Sequence, residues 1–164
     1  MNKLSRISEK ILDQEALESK LNSWNLSGKT IVFTNGVFDL LHLGHIDYLS
    51  KAKDEGDILI IGVNTDSSAR RLGKGSTRPI TDENSRSTII AALEFVDAVV
   101  LFEEDTPYNL ISKVKPDVLV KGADYKPEEI VGYDVVMEKG GIIKTIKFLP
   151  GYSTTSIEQK IKNS

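Results

Sequence analysis

The only two histidines of the 164-residue chain stand three apart, in Thr34-Asn35-Gly36-Val37-Phe38-Asp39-Leu40-Leu41-His42-Leu43-Gly44-His45. An apolar, partly β-branched run over 30–33 precedes them and a helical pattern over 46–53 follows. They therefore sit where a strand hands over to a helix. That position offers a phosphate group backbone N–H donors and the positive end of a helix dipole. Imidazole N–H groups add donors that can follow charge as it develops. Gly36 and Gly44 remove side chains so that a ligand can approach the backbone closely. Asp39 is a candidate for orienting a histidine or helping to hold a magnesium ion. The bland alternative is a helix-capping turn with two incidental histidines. A zinc site lacks a clear third ligand, and helical metal pairs are usually spaced by four.

Three further clusters carry chemistry. Gly151-Tyr152-Ser153-Thr154-Thr155-Ser156-Ile157-Glu158 places several hydroxyls at a helix start, where they can cap backbone donors or hold a phosphate. Thr155 with Glu158, and Ser156 with Gln159, each match a capping box. A basic patch, Arg70, Arg71, Lys74 and Arg78, with Lys121 further on, stands out in an acidic chain and suits two polyanionic substrates. A solvated loop is its plainer reading, and Gly73-Lys74-Gly75 lacks the glycine spacing of a P-loop. Finally, Lys121-Gly122-Ala123-Asp124-Tyr125 and Asn64-Thr65-Asp66 each follow an apolar run.

The elements that must position these groups alternate. Apolar runs over 30–33, 58–63, 98–102, 118–120 and 142–148 read as strands. Helical patterns cover 46–53, 84–94, about 107–114 and 155–161, with Thr106 as N-cap and Pro107 at the first helical position. Strands that are continuously apolar are buried on both faces. Interleaved with helices, they imply an α/β fold, a Rossmann-like doubly wound parallel five-stranded sheet with helices on both faces. Such sheets bind ligands beyond the carboxyl ends of their strands, where each candidate cluster falls. Ahead of the sheet, Ile11, Leu12, Leu17, Leu21 and Trp24 predict an N-terminal amphipathic helix over roughly 8–24. Residues 70–78 are the expected mobile loop, and no repeat or low-complexity tract is present.

Composition bounds the rest. The formal charge of −3 argues against general affinity for nucleic acid or an anionic membrane. With no cysteine, disulfides and thiolate-held metals are excluded. No apolar run reaches membrane-spanning length and the start lacks a signal-peptide h-region, so a cytoplasmic enzyme or binding protein is the expectation. Asn25-Leu26-Ser27 matches a glycosylation sequon only by chance.

The run from Gly36-Val37-Phe38-Asp39 into His42-Leu43-Gly44-His45, with Ser153-Thr154-Thr155 before the last helix, resembles the cytidylyltransferase-like branch of the nucleotidyltransferase superfamily. The resemblance covers 29–162 and implies a nucleotidyltransferase domain over 29–164, preceded by a helix and linker over 1–28. It implies that His42 and His45, with Lys74, stabilise the transition state at the α-phosphorus. Asn35, Gly36, Phe38, Asp39, Gly44, Arg86, Lys121, Gly122, Asp124, Ser153, Thr154 and Thr155 would hold the nucleotide. Asn64, Asp66, Arg71 and Arg78 would face the acceptor. Mg²⁺ would arrive with ATP and bridge phosphates, with Asp39 the one candidate side chain.

Within the superfamily, Arg78-Pro79-Ile80, the stretch 91–97, Glu104-Asp105-Thr106-Pro107 and the stretch 149–155 are most similar to the adenylyltransferases of ADP-heptose synthesis. Glycerol-3-phosphate cytidylyltransferases are the competing likeness, but they carry an arginine where this chain has Phe148-Leu149-Pro150. The implied substrates are ATP and a sugar 1-phosphate, the latter made by a separate sugar kinase, and the implied assembly is a homodimer. A nucleotide-binding regulatory module without turnover is the alternative from another class.

Overall fold

The computed structural model describes residues 2–73 and 77–163. Five strands form one parallel sheet: β1 (Ile31–Gly36), β2 (Ile58–Asn64), β3 (Ala98–Phe102), β4 (Val118–Gly122) and β5 (Ile142–Ile146). Their spatial order is β3-β2-β1-β4-β5. The order reverses between β1 and β4, which makes the gap above their carboxyl ends the switch point.

Side chains of successive residues point to opposite faces of the sheet, and each face has its own core. Ile31, Phe33, Ile58, Ile60 and Leu119 pack with α2 (Gln14–Leu26), α6 (Tyr108–Val114) and α7 (Tyr133–Glu138). Val32, Leu59, Ile61, Val63 and Val120 pack with α3 (Leu43–Lys53) and α5 (Glu83–Ala91). Helices thus cover both faces, as the apolar runs predict.

The N-terminal end of the sheet is finished by carboxylates. Asp57, Asp117 and Asp97 accept from the backbone N–H groups of Thr30, Ile31 and Leu59. Lys139 and Lys53 neutralise Asp117 and Asp97 in turn.

Four local expectations change. The single amphipathic helix over 8–24 does not form. Instead α1 (Lys3–Ser8) ends, Ile11 pairs in parallel with Val99, and α2 starts behind Asp13, which accepts from the Ala16 N–H. The reason is twofold: Asp13 is a strong N-cap, and main-chain bonds from 10–12 to Val99 cover the open edge of β3. Second, β5 is largely exposed rather than buried on both faces, because it is the other edge strand. Third, Arg70 and Arg71 belong to a helix, α4 (Asp66–Arg71), capped by Thr65. Fourth, α6 begins one residue later than expected, with Pro107 at the cap and no side-chain bond there.

Leu17 and Leu21 of α2 lie in the main core, whereas Leu26 on the same helix is 90% exposed. Leu17→Ala is therefore expected to lower unfolding free energy by about 2–5 kcal/mol and Leu26→Ala by less than about 0.5 kcal/mol, as read by urea denaturation.

Candidate functional site

A cavity of about 530 Å³ opens at the switch point, walled by the carboxyl ends of β1, β2 and β4 and by the loops that follow them. From β1 and its loop it receives Asn35, Gly36, Phe38 and Asp39, and from α3 His45. Asn64, Arg78, Lys121, Gly122 and Thr154 reach it from elsewhere in the chain. Ten of the expected residues are thus brought together. Lys74 lies outside the described residues.

His42 is the N-cap of α3, with an extended backbone and no side-chain capping bond. Its ring stacks on His45, centroids 3.9 Å apart. The Nδ1 atoms of both rings are buried without a partner. Burial lowers the His42 pKa, and burial together with the His42 charge brings His45 down to about 4. Both rings are therefore neutral donors at neutral pH. Gly44 makes room for this pair, since a Cβ there would lie 3.0 Å from the His42 ring and 3.1 Å from Tyr152. Phe38 props the other side, edge-on to His45 at 5.4 Å. Its backbone is left-handed, at φ 52°, a conformation that non-glycine residues rarely hold outside functional loops. A Cβ on Gly36 would approach the Phe38 ring to 3.1 Å.

Asp39 does something other than the sequence suggests. Its carboxylate accepts from the N–H groups of Ile80 and Thr81 and from the Thr81 hydroxyl. Neither histidine is its partner. Arg86 is also reassigned. Although it is on a helix, it is 1% exposed. It donates to the carbonyls of Thr81, Val37 and Asn64 and to the Asp66 carboxylate. Arg86 is thus out of a ligand's reach, and Asp66 is held by it rather than turned to an acceptor. Arg71 likewise stands outside the cavity, bonded to Asp105 and to the Glu103 carbonyl.

Lys121 is a half-buried cation lining the cavity. Its Nζ donates to the Asn35 side-chain oxygen, and no carboxylate among the described residues neutralises it. Burial holds its ammonium down to about 8. Next to it, Gly122 has no room for a side chain, because a Cβ would lie 2.3 Å from the Phe148 ring. That ring packs on Tyr48 at 5.2 Å, and the Tyr48 hydroxyl bonds Thr34 at 2.9 Å. Burial raises the Tyr48 hydroxyl to about 12, so it stays protonated.

In the hydroxyl cluster, Thr154 lines the cavity, while Ser153 and Thr155, like Asp124, are exposed. Ser153 is the N-cap of α8 (Thr154–Lys162), in a reciprocal capping box with Ser156. The box therefore starts two residues before the first one expected. Tyr125, from the Lys121–Tyr125 cluster, and Thr106 join the cavity wall, as does Tyr48, which sequence reasoning did not single out although it stands one helical turn beyond His45.

Among the described residues no group of three or more His, Asp or Glu is placed to hold a metal. Asp39, the one side chain expected to take a metal, is engaged by three donors instead. No helix among the described residues is long and apolar enough to cross a membrane.

A parallel sheet opening on paired neutral imidazoles, a helix N-terminus and an uncompensated lysine suits phosphate transfer. A cytidylyltransferase-like family model matches residues 33–160, and the chain belongs to that family. Among individual relatives, it is 53% identical over 152 residues to the bifunctional protein HldE of Geobacter metallireducens, covering 93% of this chain and 31% of that one. It is 49% identical to the HldE of Wolinella succinogenes, covering 95% and 32%. The chain thus spans about a third of the length of the curated relatives it matches. A solved lipopolysaccharide core biosynthesis protein from Thermoplasma volcanium is 37% identical, with a TM-score of 0.60 over 74% of this chain and 98% of that one. Pantoate-beta-alanine ligase from Francisella tularensis, solved with an ATP analogue and beta-alanine, shares the fold at 20% identity. Its TM-score is 0.62, over 93% of this chain and 76% of that one.

Because its ammonium is charged below about pH 8 and neutral above, Lys121 should attract anions on the acid side of that value only. The affinity for a polyphosphate ligand, measured by calorimetry, should fall as pH rises from about 7 to about 9. Lys121→Met should weaken binding at pH 7 by about tenfold or more and flatten this pH dependence.

Proposed function

We propose that this chain transfers the adenylyl group of ATP to the phosphate of a sugar 1-phosphate, D-glycero-β-D-manno-heptose 1-phosphate, giving ADP-heptose and pyrophosphate. The observation that carries the reading is the stacked, neutral pair His42–His45 at the N-terminus of α3, beside a cavity holding an uncompensated lysine. A sugar phosphate oxygen attacks the α-phosphorus, and the bond from that phosphorus to the bridging oxygen of the β-phosphate breaks. The pyrophosphate takes the electron pair. A phosphate dianion is already a competent nucleophile, so no protein nucleophile enters. Catalysis is positioning plus charge stabilisation.

In this reading both imidazoles donate from Nε2 to oxygens that gain charge as pyrophosphate leaves, and the N–H groups of α3 add to them. Lys121 and Thr154 hold the nucleotide's phosphates, and Lys74 belongs to the same cationic set. The metal is magnesium carried in as MgATP, which is the substrate. Asn64, Asp105 and Thr106 line the same cavity, and in this reading they would meet the acceptor.

Support for heptose comes from the likeness of stretches 91–97 and 149–155 to ADP-heptose adenylyltransferases. The solved relative described as a lipopolysaccharide core biosynthesis protein supports it too. The product would feed lipopolysaccharide or another surface glycan, from the cytoplasm where ATP is made. A sugar kinase acts one step earlier, and the active form is a homodimer.

Pyrophosphate release is the test, with ATP or CTP crossed against heptose 1-phosphate and glycerol 3-phosphate. Turnover is expected with ATP and heptose 1-phosphate. Turnover with CTP alone overturns the adenylyl assignment, and nucleotide binding without turnover of any pair points to a regulatory module. His42→Ala and His45→Ala should each lower kcat by roughly two decades or more.

A further inference from the structure

The cavity is lined by two cations among the described residues, Lys121 and Arg78, and they are held differently. Lys121 has a neutral amide oxygen as its partner. Arg78 makes a two-pronged ion pair with Glu158, its Nε donating to one carboxylate oxygen at 3.0 Å and its Nη2 to the other. The two side chains are 15% and 19% exposed, so this pair is better shielded from solvent than an ordinary surface bridge. It joins residues 80 positions apart.

The backbone next to Arg78 is fixed separately. Ile80 and Thr81 donate to Asp39, and the Thr81 carbonyl accepts from Arg86. A long side chain on an anchored backbone still has several rotatable bonds, and a carboxylate that takes the Nε–Nη2 edge of the guanidinium removes that freedom. The Nη1 end has no partner among the described residues. Glu158 rides on α8, the helix whose first residue, Thr154, lines the same cavity. The guanidinium and the helix start are thereby held to one another.

We propose that Glu158 is a positioning residue: it clamps one edge of Arg78 so that the free Nη1 end meets a substrate phosphate. The proposal rests on reading this cavity as a nucleotidyl-transfer site. The phosphate belongs to the nucleotide or to the acceptor. Glu158 touches no substrate and acts only through Arg78.

Calorimetric titration of the full chain tests this with three ligands separately: a non-hydrolysable ATP analogue, heptose 1-phosphate and inorganic pyrophosphate. Arg78→Ala should weaken at least one ligand about tenfold. Glu158→Ala should weaken the same ligand by several-fold. Glu158→Asp should restore part of the loss and Glu158→Gln less. The double variant should bind no worse than Arg78→Ala alone, because the clamp has nothing left to position. Losses that multiply in the double variant, or a Glu158→Ala chain that binds every ligand as tightly as before, overturn the proposal. Whichever ligand responds identifies the phosphate's source. Pyrophosphate keeps this outcome separate from the proposed reaction: binding of pyrophosphate that responds to Glu158 upholds the clamp even if heptose 1-phosphate is not an acceptor.

Discussion

The carboxyl ends of β1 and β2 and the loops after them gather carbonyl groups where the ligand site must form, and a buried carbonyl needs a donor. Arg86 supplies it. One guanidinium binds the carbonyls of Val37, Asn64 and Thr81 and the carboxylate of Asp66. It thereby ties the loop after β1, the end of β2, the start of α4 and the segment leading into α5. The opposite end of the sheet is finished in the reverse sense, with Asp57, Asp97 and Asp117 accepting strand-initial N–H groups. Removing the guanidinium would leave a carboxylate and three carbonyls short of partners beside the cavity, a far larger perturbation than losing a surface charge.

That frame lets the cavity work with little net charge of its own. The histidines are neutral, Arg78 is paired with Glu158, and Lys121 retains the one ammonium among the described cavity residues that no carboxylate offsets. Fixed donors do not have to reorganise as charge moves from an attacking to a leaving oxygen. In the proposed reaction, a site rich in free cations would bind pyrophosphate tightly and release it slowly, which neutral imidazoles on a rigid helix end would avoid.

Much of this was legible in the sequence. The apolar runs located all five strands, and the placement of both histidines after the first of them pointed toward the cavity that His45 lines. What stayed hidden has physical reasons. Arg86 and Glu158 sit in polar helical stretches, where a charge ordinarily means solvent; only the fold brings Arg86 to the strand ends and Glu158 to a residue 80 positions away. Asp39, beside the histidines in sequence, bonds a segment more than forty residues later. The helices α4 and α7 are six residues each, too short for a periodic pattern. In β5 the apolar residues of Ile142-Ile143-Lys144-Thr145-Ile146 predict burial, whereas its lysine and threonine fit the edge position it takes. The helix expected over 8–24 mixed two signals, since Ile11 and Leu12 serve the sheet while Leu17 and Leu21 serve α2.

The two edges of the sheet are unequal. Residues 10–12 cover β3, while β5 keeps a bare rim and a wetted face. Cooperativity should therefore grade across the molecule, with β1 and β2 expected to open only on global unfolding and β5 to peel away at smaller cost. Phe148 and Thr154 follow directly from that outer strand and wall the cavity. Catalytic competence should consequently melt before the protein does: a heated population passes through a state that is still folded, still compact at its centre, and already inactive.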